Sequence, residues 1–502
     1  MDSWALLSVS DKTGLESLAR HLDQQGLKLM ATSSTARHLE SLGLEVRTVE
    51  SLTGFGEILD GRVKTLHPLI YGGLLASSAP QHQAQREQMG APDIRVAIVN
   101  LYPFEERWQA GVEGGDLIEE IDIGGVSLIR AAAKNYERVA VLVDPTQYEE
   151  FMATPALSQN DAFRRRLAVE AFRHVAYYDA VIAGALGQED ASWPDLWTLA
   201  GRRRGSLRYG ENPHQPGAFY QSPRHDGFAA ADLLQGKALS FNNYADADTA
   251  VRLAKDFEAP AAVVVKHQTP CAVALSDTVL DAYQRAHDAD PVSIFGGVVA
   301  VNRPIDGPLA EKLVDIFLEV IVAPDVTDAG RAVLARKKNL RVLTMSFERS
   351  PSWDLKGILG GFLIQPADDF INAPALWRHV AGPNPESGMA GDVELAWKTV
   401  ARVKSNAIVV VKDGVTIGIG GGQTNRVDAA RQALDRAGDA ARGAVLASDG
   451  FFPFGDVLAL CRERGIHTVV QPGGSLRDEE SIEAADDAGI TLIMTDERHF
   501  RH

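Results

Sequence analysis

Hydroxyl and ammonium groups cluster in two segments near the N-terminus, each directly after an apolar run that is typical of a buried strand. The segments are residues 8–13 (Ser-Val-Ser-Asp-Lys-Thr) and 32–35 (Thr-Ser-Ser-Thr). In open α/β sheets, ligands bind beyond the carboxyl ends of the strands, where helix N-termini offer free N–H groups to anions. The two segments together predict a phosphate pocket, although either one alone would equally suit helix capping.

Side chains that transfer protons accompany this predicted pocket. Residues 61–68 (Gly-Arg-Val-Lys-Thr-Leu-His-Pro) place two cations, a hydroxyl and an imidazole on one loop. Three further segments add a phenol, a carboxylate beside a glycine pair, and more charge. They are residues 100–104 (Asn-Leu-Tyr-Pro-Phe), 121–125 (Ile-Asp-Ile-Gly-Gly) and 130–135 (Arg-Ala-Ala-Ala-Lys-Asn), respectively. Lys, Tyr, Asp and Lys together could move protons and stabilise an oxyanion around a small phosphorylated substrate.

A second group of titratable residues lies in the C-terminal part of the sequence. Lys266 and His267 follow the apolar run 261–265, so they come at the end of a predicted strand. A neighbouring cation favours the neutral form of an imidazole, which suits a general base. A lone Lys-His pair is nevertheless more often structural or solvated than catalytic. Small-residue segments at 290–297, 404–407, 418–423, 448–454 and 471–475 could let backbone approach a ligand or another subunit.

Several other sites are not supported. The glycine run 420–422 lacks the partner residues of nucleoside-triphosphate and dinucleotide motifs. Zinc deaminases use Pro-Cys-x-x-Cys, and after Pro270 and Cys271 this sequence has Ala274 where the second cysteine of the motif would stand. We therefore predict no catalytic metal.

Composition narrows the class of protein. The chain has 502 residues, 45% of them hydrophobic and 23% charged, as is ordinary for a globular protein of several domains. A formal net charge of -17 disfavours nucleic-acid and acidic-membrane surfaces. The two cysteines allow no disulfide framework, which fits a reducing cytoplasm. We expect neither an export signal nor a membrane anchor.

The elements that must position these residues alternate between strand and helix patterns. Strands are predicted at 4–9, 27–31, 44–49, 95–101 and 139–143, followed by a helix at 162–187 and a boundary loop at 188–204. Further strands are predicted at 261–265, 298–301, 320–323, 407–411, 416–419, 444–447, 468–471 and 491–494. This alternation of strands and helices predicts an α/β fold whose first domain contains a parallel sheet.

The N-terminal motifs resemble the inosine monophosphate (IMP) cyclohydrolase domain of the bifunctional purine-biosynthesis proteins, which has a methylglyoxal-synthase-like fold. The resemblance implies a domain at residues 1–195 that closes the ring of a formylated aminoimidazole ribotide with loss of water. The matching catalytic positions are Lys64, Tyr102, Asp122 and Lys134. The expected nucleotide-binding positions are Ser8, Ser10, Lys12, Thr13, Ser33, Ser34, Thr35, Arg62, Thr65, Asn100, Gly124 and Gly125.

The C-terminal motifs resemble the aminoimidazole carboxamide ribonucleotide (AICAR) transformylase domain of the same family, a pair of cytidine-deaminase-like α/β subdomains. The resemblance implies a domain at 205–502 that consists of two subdomains, at approximately 205–370 and 371–502. By family match, Lys266 and His267 carry formyl transfer and Asn406 assists. The ribonucleotide would be bound by Arg208, Tyr209, Asn243 and Arg498, and the folate by Asp449, Phe451 and Phe452.

The resemblance also implies ligands and partners. It implies 10-formyltetrahydrofolate as co-substrate, no tightly bound cofactor, and AICAR, formyl-AICAR and IMP as substrates and product. A homodimer that shares the transformylase pocket is expected by resemblance only.

Two other functions stay open. The family usually carries Gly-Gly where this sequence has Ser33 and Ser34, so a transformylase with a silent cyclohydrolase domain is one alternative. A nonenzymatic nucleotide sensor is the other, although the presence of Lys64, Lys266 and His267 argues against it.

Overall fold

The computed structural model describes residues 2–59, 62–154, 161–187, 193–348, 353–369, 371 and 374–502. The chain divides into two compact units, the first made of Met1–Arg202 with Ser222–Arg224 and the second of Arg203–Gln221 with His225–His502. The domain limits predicted at 195, 205 and 370 remain predictions. Gly61, Phe370 and the first residues of the predicted boundary loop lie outside the described residues.

The first unit contains a five-stranded parallel sheet in the order β3-β2-β1-β4-β5. Its strands are β1 (Ser3–Ser8), β2 (Lys28–Ala31), β3 (Val46–Thr48), β4 (Asp93–Val99) and β5 (Ala140–Leu142). Its helices are α1 (Leu15–Gln24), α2 (Ser33–Ser41), α3 (Val49–Thr53), α4 (Pro68–Leu75), α5 (Pro80–Gln88), α6 (Phe104–Gln109), α7 (Gly114–Ile118), α8 (Gly124–Lys134), α9 (Tyr148–Ala153) and α10 (Asp161–Leu186).

Both faces of this sheet are covered by apolar residues. Successive residues of β1 point to opposite faces, so Leu6 joins one core cluster while Ala5 and Leu7 join the other. All three side chains are fully buried. Near-continuous apolar strands are typical of parallel sheets that helices cover on both sides. The strands of this sheet were predicted from such apolar runs. The predicted parallel sheet is confirmed.

The second unit is built mainly on one twelve-stranded mixed sheet. The strands that follow β5 in the chain are β6 (Arg202–Ser206), β7 (Ala218–Gln221), β8 (Asp232–Gln235), β9 (Ala261–Lys266), β10 (Thr269–Leu275), β11 (Val298–Val301), β12 (Val320–Ala323), β13 (Arg341–Thr344), β14 (Trp353–Ile358), β15 (Gly361–Pro366), β16 (Arg378–Ala381), β17 (Ile408–Lys412), β18 (Val415–Gly420), β19 (Val445–Ser448), β20 (Thr468–Gln471) and β21 (Thr491–Met494). Of these, β6-β7 and β14-β15 form two separate two-stranded sheets, and the other twelve form the large sheet. The helices of this unit are α11 (Phe241–Ala254), α12 (Val279–Ala289), α13 (Gly307–Val314), α14 (Asp328–Leu334), α15 (Ala390–Val400), α16 (Arg426–Ala437), α17 (Asp456–Arg464) and α18 (Asp478–Ala488).

The strand order of the large sheet is symmetrical about its centre. It runs β16-β21-β20-β19-β17-β18 on one side and β10-β9-β11-β12-β13-β8 on the other, and β18 and β10 meet in the middle. Each half repeats the same sequence of elements, beginning with an edge strand, a helix and an antiparallel hairpin. The hairpins are β9-β10 and β17-β18, so the second unit contains two copies of one α/β arrangement.

The eight strands predicted in this unit are all present, but four other strands of the large sheet, β8, β10, β13 and β16, were not predicted. Pro270 lacks an N–H group and is usually excluded from sheet interiors, which made residues 269–275 a poor strand candidate. In the structure Pro270 pairs with Val265, beside an irregularity in the register. No helix of the described residues is both long and apolar enough to cross a bilayer.

Candidate active sites

A cavity of about 480 Å³ opens in the first unit beyond the carboxyl ends of β1, β2 and β4. Ligands bind at this edge in open α/β sheets. The cavity is lined by Ser8, Val9, Ser10, Lys12, Thr32, Ser34, Arg62, Lys64, Thr65, Asn100, Tyr102, Ile118, Glu119, Ile121, Asp122, Ile123, Gly124 and Gly125. Most of the residues predicted for this site from the sequence therefore lie around one space.

The loop after β1 is held in place by an amide side chain. The Asn100 Oδ1 atom accepts hydrogen bonds from the backbone N–H groups of Ser10 and Asp11 at 2.5 and 3.0 Å. Its Nδ2 group donates to the Asp11 carbonyl at 2.8 Å. The fully buried Thr35 hydroxyl lies 3.3 Å from both the N and the O of Val9. Asn100 and Thr35 therefore shape the loop, and in Thr35 the hydroxyl is not presented to the cavity.

The start of α2 supplies one end of the cavity with groups suited to an anion. The N-cap residue, Thr32, makes no side-chain hydrogen bond to the first N–H groups of the helix. Unpaired N–H groups at a helix N-terminus carry partial positive charge and bind phosphates. Ser34 is exposed in this first turn, and the ammonium of Lys12 lines the same cavity. This end can therefore hold a phosphate group.

Asp122 lies in the cavity together with Lys64 and Tyr102. Its Oδ1 atom accepts a hydrogen bond from the Gly125 N–H at 2.6 Å, and its own N–H donates to the Tyr178 hydroxyl at 2.8 Å. Burial raises the pKa of the Asp122 carboxyl, while backbone hydrogen bonds from Gly125 and Tyr102 and the charge of Lys64 oppose the shift. A carboxylate with a raised pKa beside an ammonium can accept and return a proton.

Glu119 is a cavity residue that the sequence interpretation did not include. The Arg62 Nε group donates to Glu119 Oε2 at 3.2 Å, so the predicted nucleotide-binding arginine has an acidic partner. This hydrogen bond lowers the pKa of the exposed Glu119 carboxyl. The pairing joins residues 57 positions apart in sequence, so no local pattern pointed to it.

Four of the predicted residues do not line the cavity: Thr13, Ser33, Thr35 and Lys134. The Ser33 hydroxyl lies 2.6 Å from Glu50 Oε1 and 2.7 Å from Glu57 Oε1. Lys134 is exposed at the last position of α8, whose first residue, Gly124, lines the cavity. At a rise of about 1.5 Å per residue, the two Cα atoms are roughly 15 Å apart along the helix. Lys134 therefore does not line this cavity, and its catalytic role stays a prediction.

In the second unit, His267 occupies a two-residue turn between β9 and β10. Lys266 pairs with Thr269, which leaves His267 and Gln268 as the turn, and both have positive φ angles of 54° and 58°. The Lys266 Nζ group donates to the Phe295 carbonyl at 2.9 Å, so the ammonium is anchored at the end of its strand. The His267 side chain is exposed and can reach a ligand.

Asn406 is positioned by a buried ion pair. Its Oδ1 atom accepts a hydrogen bond from Arg426 Nη2 at 2.8 Å, and its Nδ2 group donates to the Gln423 carbonyl at 2.9 Å. Arg426 also pairs with Asp449, and the Ser405 hydroxyl donates to the second carboxylate oxygen of Asp449. Arg426 was not among the predicted residues, because nothing in residues 418–428 marks it as the partner of a distant Asp and Asn.

The predicted folate-binding residues are mostly turned into the protein. Asp449 and Phe452 have no exposed surface, and Phe452 belongs to an apolar core cluster. Both oxygens of Asp449 are already engaged, so its side chain holds the Asn406 network together. Phe451 is half-buried and is the member of this set whose ring has solvent-accessible surface. Resemblance gave no direction for these side chains, and the folate-binding role of the segment stays a prediction.

The predicted ribonucleotide-binding residues differ in exposure. The guanidinium groups of Arg208 and Arg498 are exposed and lie over the rings of Tyr209 and Phe500, at 5.6 and 4.7 Å from the ring centroids. Asn243 is buried, and its side chain completes a capping box with Ser240 at the start of α11. In this structure the Asn243 amide therefore caps a helix.

One face of α11 contacts both the His267 turn and the C-terminal tail, which bonds to Ser405 beside Asn406. Asp246 accepts a hydrogen bond from the Gln268 N–H at 2.6 Å, in the His267 turn. Thr249, one helical turn later, accepts from Arg501 Nη2 at 3.0 Å, in the C-terminal tail that also bonds Ser405. Residues three apart share a helix face. In the part of the chain that the structure describes, no group of three or more His, Cys, Asp or Glu side chains is arranged to hold a metal ion.

Comparison with known proteins places both units of the chain in one family. The AICARFT/IMPCHase bienzyme family profile matches residues 132–436, and the MGS-like domain profile matches residues 14–127. The chain is 46% identical to the bifunctional purine biosynthesis protein PurH of Desulfitobacterium hafniense, over 100% of both chains. It is 45% identical to PurH of Anoxybacillus flavithermus over 99% of both, and 46% identical to PurH of Bacillus cereus over 100% of both.

Among solved structures, the chain in the crystal structure of ForH is 34% identical, with 37% of this chain and 97% of that one covered and a TM-score of 0.33. The full-length similarity to the PurH proteins is much broader, because it includes the cavity of the first unit and the His267 turn of the second. The chain therefore belongs to the family of AICARFT/IMPCHase bienzymes, the bifunctional enzymes of purine biosynthesis that combine AICAR formyltransferase with IMP cyclohydrolase.

Proposed function

We propose that the cavity of the first unit closes the ring of formyl-AICAR and that the His267 turn of the second unit transfers the formyl group to AICAR. The observation that carries the first assignment is the meeting of Asp122 and Lys64 in a cavity whose other end suits a phosphate. The ribotide phosphate would bind at the start of α2, which directs the imidazole toward the two titratable groups.

Ring closure needs positioning and proton transfer. The carboxamide nitrogen of formyl-AICAR bonds to the formyl carbon, and the formyl oxygen leaves as water with one proton from that nitrogen and one from the formamide nitrogen. Asp122 would accept the proton of the attacking nitrogen, and Lys64 would stabilise the negative charge on the formyl oxygen. The nucleophile is already tethered to its target, so holding the near-attack geometry supplies much of the acceleration.

Two features support an active cyclohydrolase over the silent domain that Ser33 and Ser34 suggested. Ser33 makes its contacts to Glu50 and Glu57, so its Cβ does not fill the phosphate end of the cavity. Ser34 does line that end, where its hydroxyl can replace one backbone contact to an oxygen.

Formyl-AICAR supplied alone tests this assignment. We expect the absorbance increase of ring closure without any folate present, because the first unit needs no formyl donor. If the protein forms IMP no faster than formyl-AICAR closes spontaneously, the cyclohydrolase domain is inactive and the protein is a transformylase alone. Tight binding of the ribotide with no turnover in either half-reaction would instead indicate a nucleotide sensor.

In formyl transfer, the amine of AICAR attacks the formyl carbon of the donor. The amine is conjugated into an electron-poor ring and is a weak nucleophile, so a base must remove its proton. We assign this to His267, which would return the proton to the folate nitrogen as the carbon–nitrogen bond to the donor breaks. Lys266 would stabilise the developing oxyanion, with Asn406 positioned by Arg426.

A formyltransferase of this family uses a folate-type co-substrate. We propose 10-formyltetrahydrofolate as that donor, with Phe451 on the folate side of the pocket. The expected ligands are therefore AICAR, formyl-AICAR, IMP and the reduced folate. A cytoplasmic location fits the two cysteines, Cys271 and Cys461, which are both free thiols.

The β14-β15 hairpin supports a homodimer. By register, one of its faces carries Trp353, Leu355, Phe362, Ile364 and Pro366. Trp353, Leu355 and Phe362 are 52%, 51% and 50% exposed, and a two-stranded sheet is at best marginally stable in water by itself. A self-complementary apolar face of this kind suits a second copy of the chain.

Leu355→Asp tests this interface. We expect the variant to shift from dimer toward monomer in light scattering after size exclusion, because a carboxylate would be buried against an apolar partner. Lys356→Asp is the matched control, since Lys356 lies on the opposite face of the same strand. Loss of the dimer in both variants, or in neither, would contradict the assignment.

A further inference from the structure

The turn that presents His267 has a structural counterpart in the other half of the same sheet. Lys266 ends β9 and pairs with Thr269 across a two-residue turn, and Lys412 ends β17 and pairs with Val415 across another. The Lys266 ammonium donates to the Phe295 carbonyl at 2.9 Å, and the Lys412 ammonium to the Arg442 carbonyl at 2.7 Å. Both turns are thus built on the same hairpin and the same lysine contact.

The two turns differ in sequence although they share a backbone conformation. His267 and Gln268 have φ angles of 54° and 58°, and Asp413 and Gly414 have 52° and 74°. Two-residue hairpin turns with positive φ at both positions favour Asp-Gly, because glycine carries no Cβ to clash. The second half therefore has the residues that this turn prefers, whereas the first half holds a histidine and a glutamine in an unfavourable conformation.

An aspartate on the first helix of each half bonds to the turn that follows. Asp392, on α15, accepts hydrogen bonds from the N–H groups of Asp413 and Gly414 at 2.7 and 2.6 Å. Asp246, on α11, accepts from the Gln268 N–H at 2.6 Å. The neighbouring His267 N–H also faces the carboxylate and opposes the rise in its pKa that burial causes. Asp246 precedes Lys266 by the same number of residues as Asp392 precedes Lys412, so the two carboxylates are equivalent.

The contact between the helix aspartate and the hairpin turn has different consequences in the two halves of the sheet. A non-glycine residue at positive φ persists only where its surroundings determine it strongly, and such residues cluster at functional sites. In the second half, the Asp-Gly turn keeps its shape by its own preference. In the first half, the hydrogen bond from the Gln268 N–H to the half-buried Asp246 carboxylate opposes relaxation of His267 and Gln268.

We propose that Asp246 is a positioning residue for formyl transfer, which holds the strained His267 turn so that the imidazole meets the amine of AICAR. The proposal rests on the function assigned above to His267. Asp246 acts through the turn backbone and touches no reacting atom. Asp392 makes the same contact to a turn that presents no imidazole, so it should have no influence on the reaction.

The paired variants Asp246→Asn and Asp392→Asn test the proposal in the full-length chain. Asparagine keeps the size of the side chain but removes the negative charge that faces the N–H groups of the His267 turn. We expect Asp246→Asn to lower kcat for formyl transfer by about 100-fold, the cost of misplacing a catalytic group by about 1 Å, with KM for AICAR and folate within about twofold. Asp392→Asn should transfer at the native rate, and ring closure should be native in both.

Asp246→Glu is measured beside them, because it keeps the charge and both acceptor oxygens. We expect it to transfer faster than Asp246→Asn, and we expect thermal unfolding of all three variants to be similar. Equal transfer rates in Asp246→Asn and Asp392→Asn would overturn the proposal, as would a rise in KM without a fall in kcat. If His267→Ala itself transfers at the native rate, the function assigned to His267 fails; if His267→Ala is inactive and the two asparagine variants match, only the positioning role fails.

Discussion

His267→Ala should lower the rate of formyl transfer by about 100- to 10,000-fold, the range for loss of a general base, and leave ring closure unchanged. The imidazole is exposed at the tip of the β9-β10 hairpin, where the Lys266 ammonium is anchored beside it. Without the imidazole, the weakly nucleophilic amine of AICAR has no positioned acceptor for its proton. The measurement is the steady-state rate of formyl transfer from the reduced folate to AICAR.

Gln268→Ala is the matched control for this variant. Gln268 is the other residue of the turn and has the same positive φ, so alanine there imposes the same backbone preference without removing the imidazole. We expect it to keep most of the transfer activity. If both alanine variants lost transfer equally, the turn conformation rather than the imidazole would be responsible, and His267 would not be the base.

The second large effect is expected for Asp122→Asn in the first unit. The asparagine oxygen can still accept the Gly125 N–H bond, so the loop keeps its shape while the proton acceptor is lost. Ring closure of formyl-AICAR should fall by about 100-fold or more, and formyl transfer should be native. The exposed Asp116, which does not line the cavity, provides the control Asp116→Asn.

The pH profile gives the same assignment a second test. Burial raises the pKa of Asp122, and the ionised form is the one that accepts a proton. Native ring closure should therefore be lost as the pH falls through a pKa above that of an ordinary aspartate, and the asparagine variant should lack this acidic limb. A native limb that persists in Asp122→Asn would show that another group is the base.

Much of the fold was predictable because the strands are apolar runs of ordinary length. The predicted strand 298–301 and the observed β11 coincide, and the first strand differs by one residue at each end. Periodicity reports burial, so it located strands that are buried on both faces. It missed the β14-β15 hairpin, whose residues are largely exposed in this chain.

The site was less predictable, because its geometry depends on partners that are distant in sequence. Resemblance named His267 and Asp122 as candidates, but it did not indicate the pairing of Arg426 with Asp449 or of Arg62 with Glu119. It also could not tell that Phe452 points into the core. The repeat was visible in the sequence as the similar runs 261–266 (Ala-Ala-Val-Val-Val-Lys) and 407–412 (Ala-Ile-Val-Val-Val-Lys), whose significance becomes clear in the sheet order.

A mixing experiment tests most directly whether the two chemistries belong to separate sites on the chain. Asp122→Asn and His267→Ala are each given AICAR and 10-formyltetrahydrofolate, alone and in an equal mixture, and IMP is measured. We predict accumulation of formyl-AICAR by the first variant, no conversion by the second, and IMP formation by the mixture. IMP formed at the native rate by either variant alone would contradict the account.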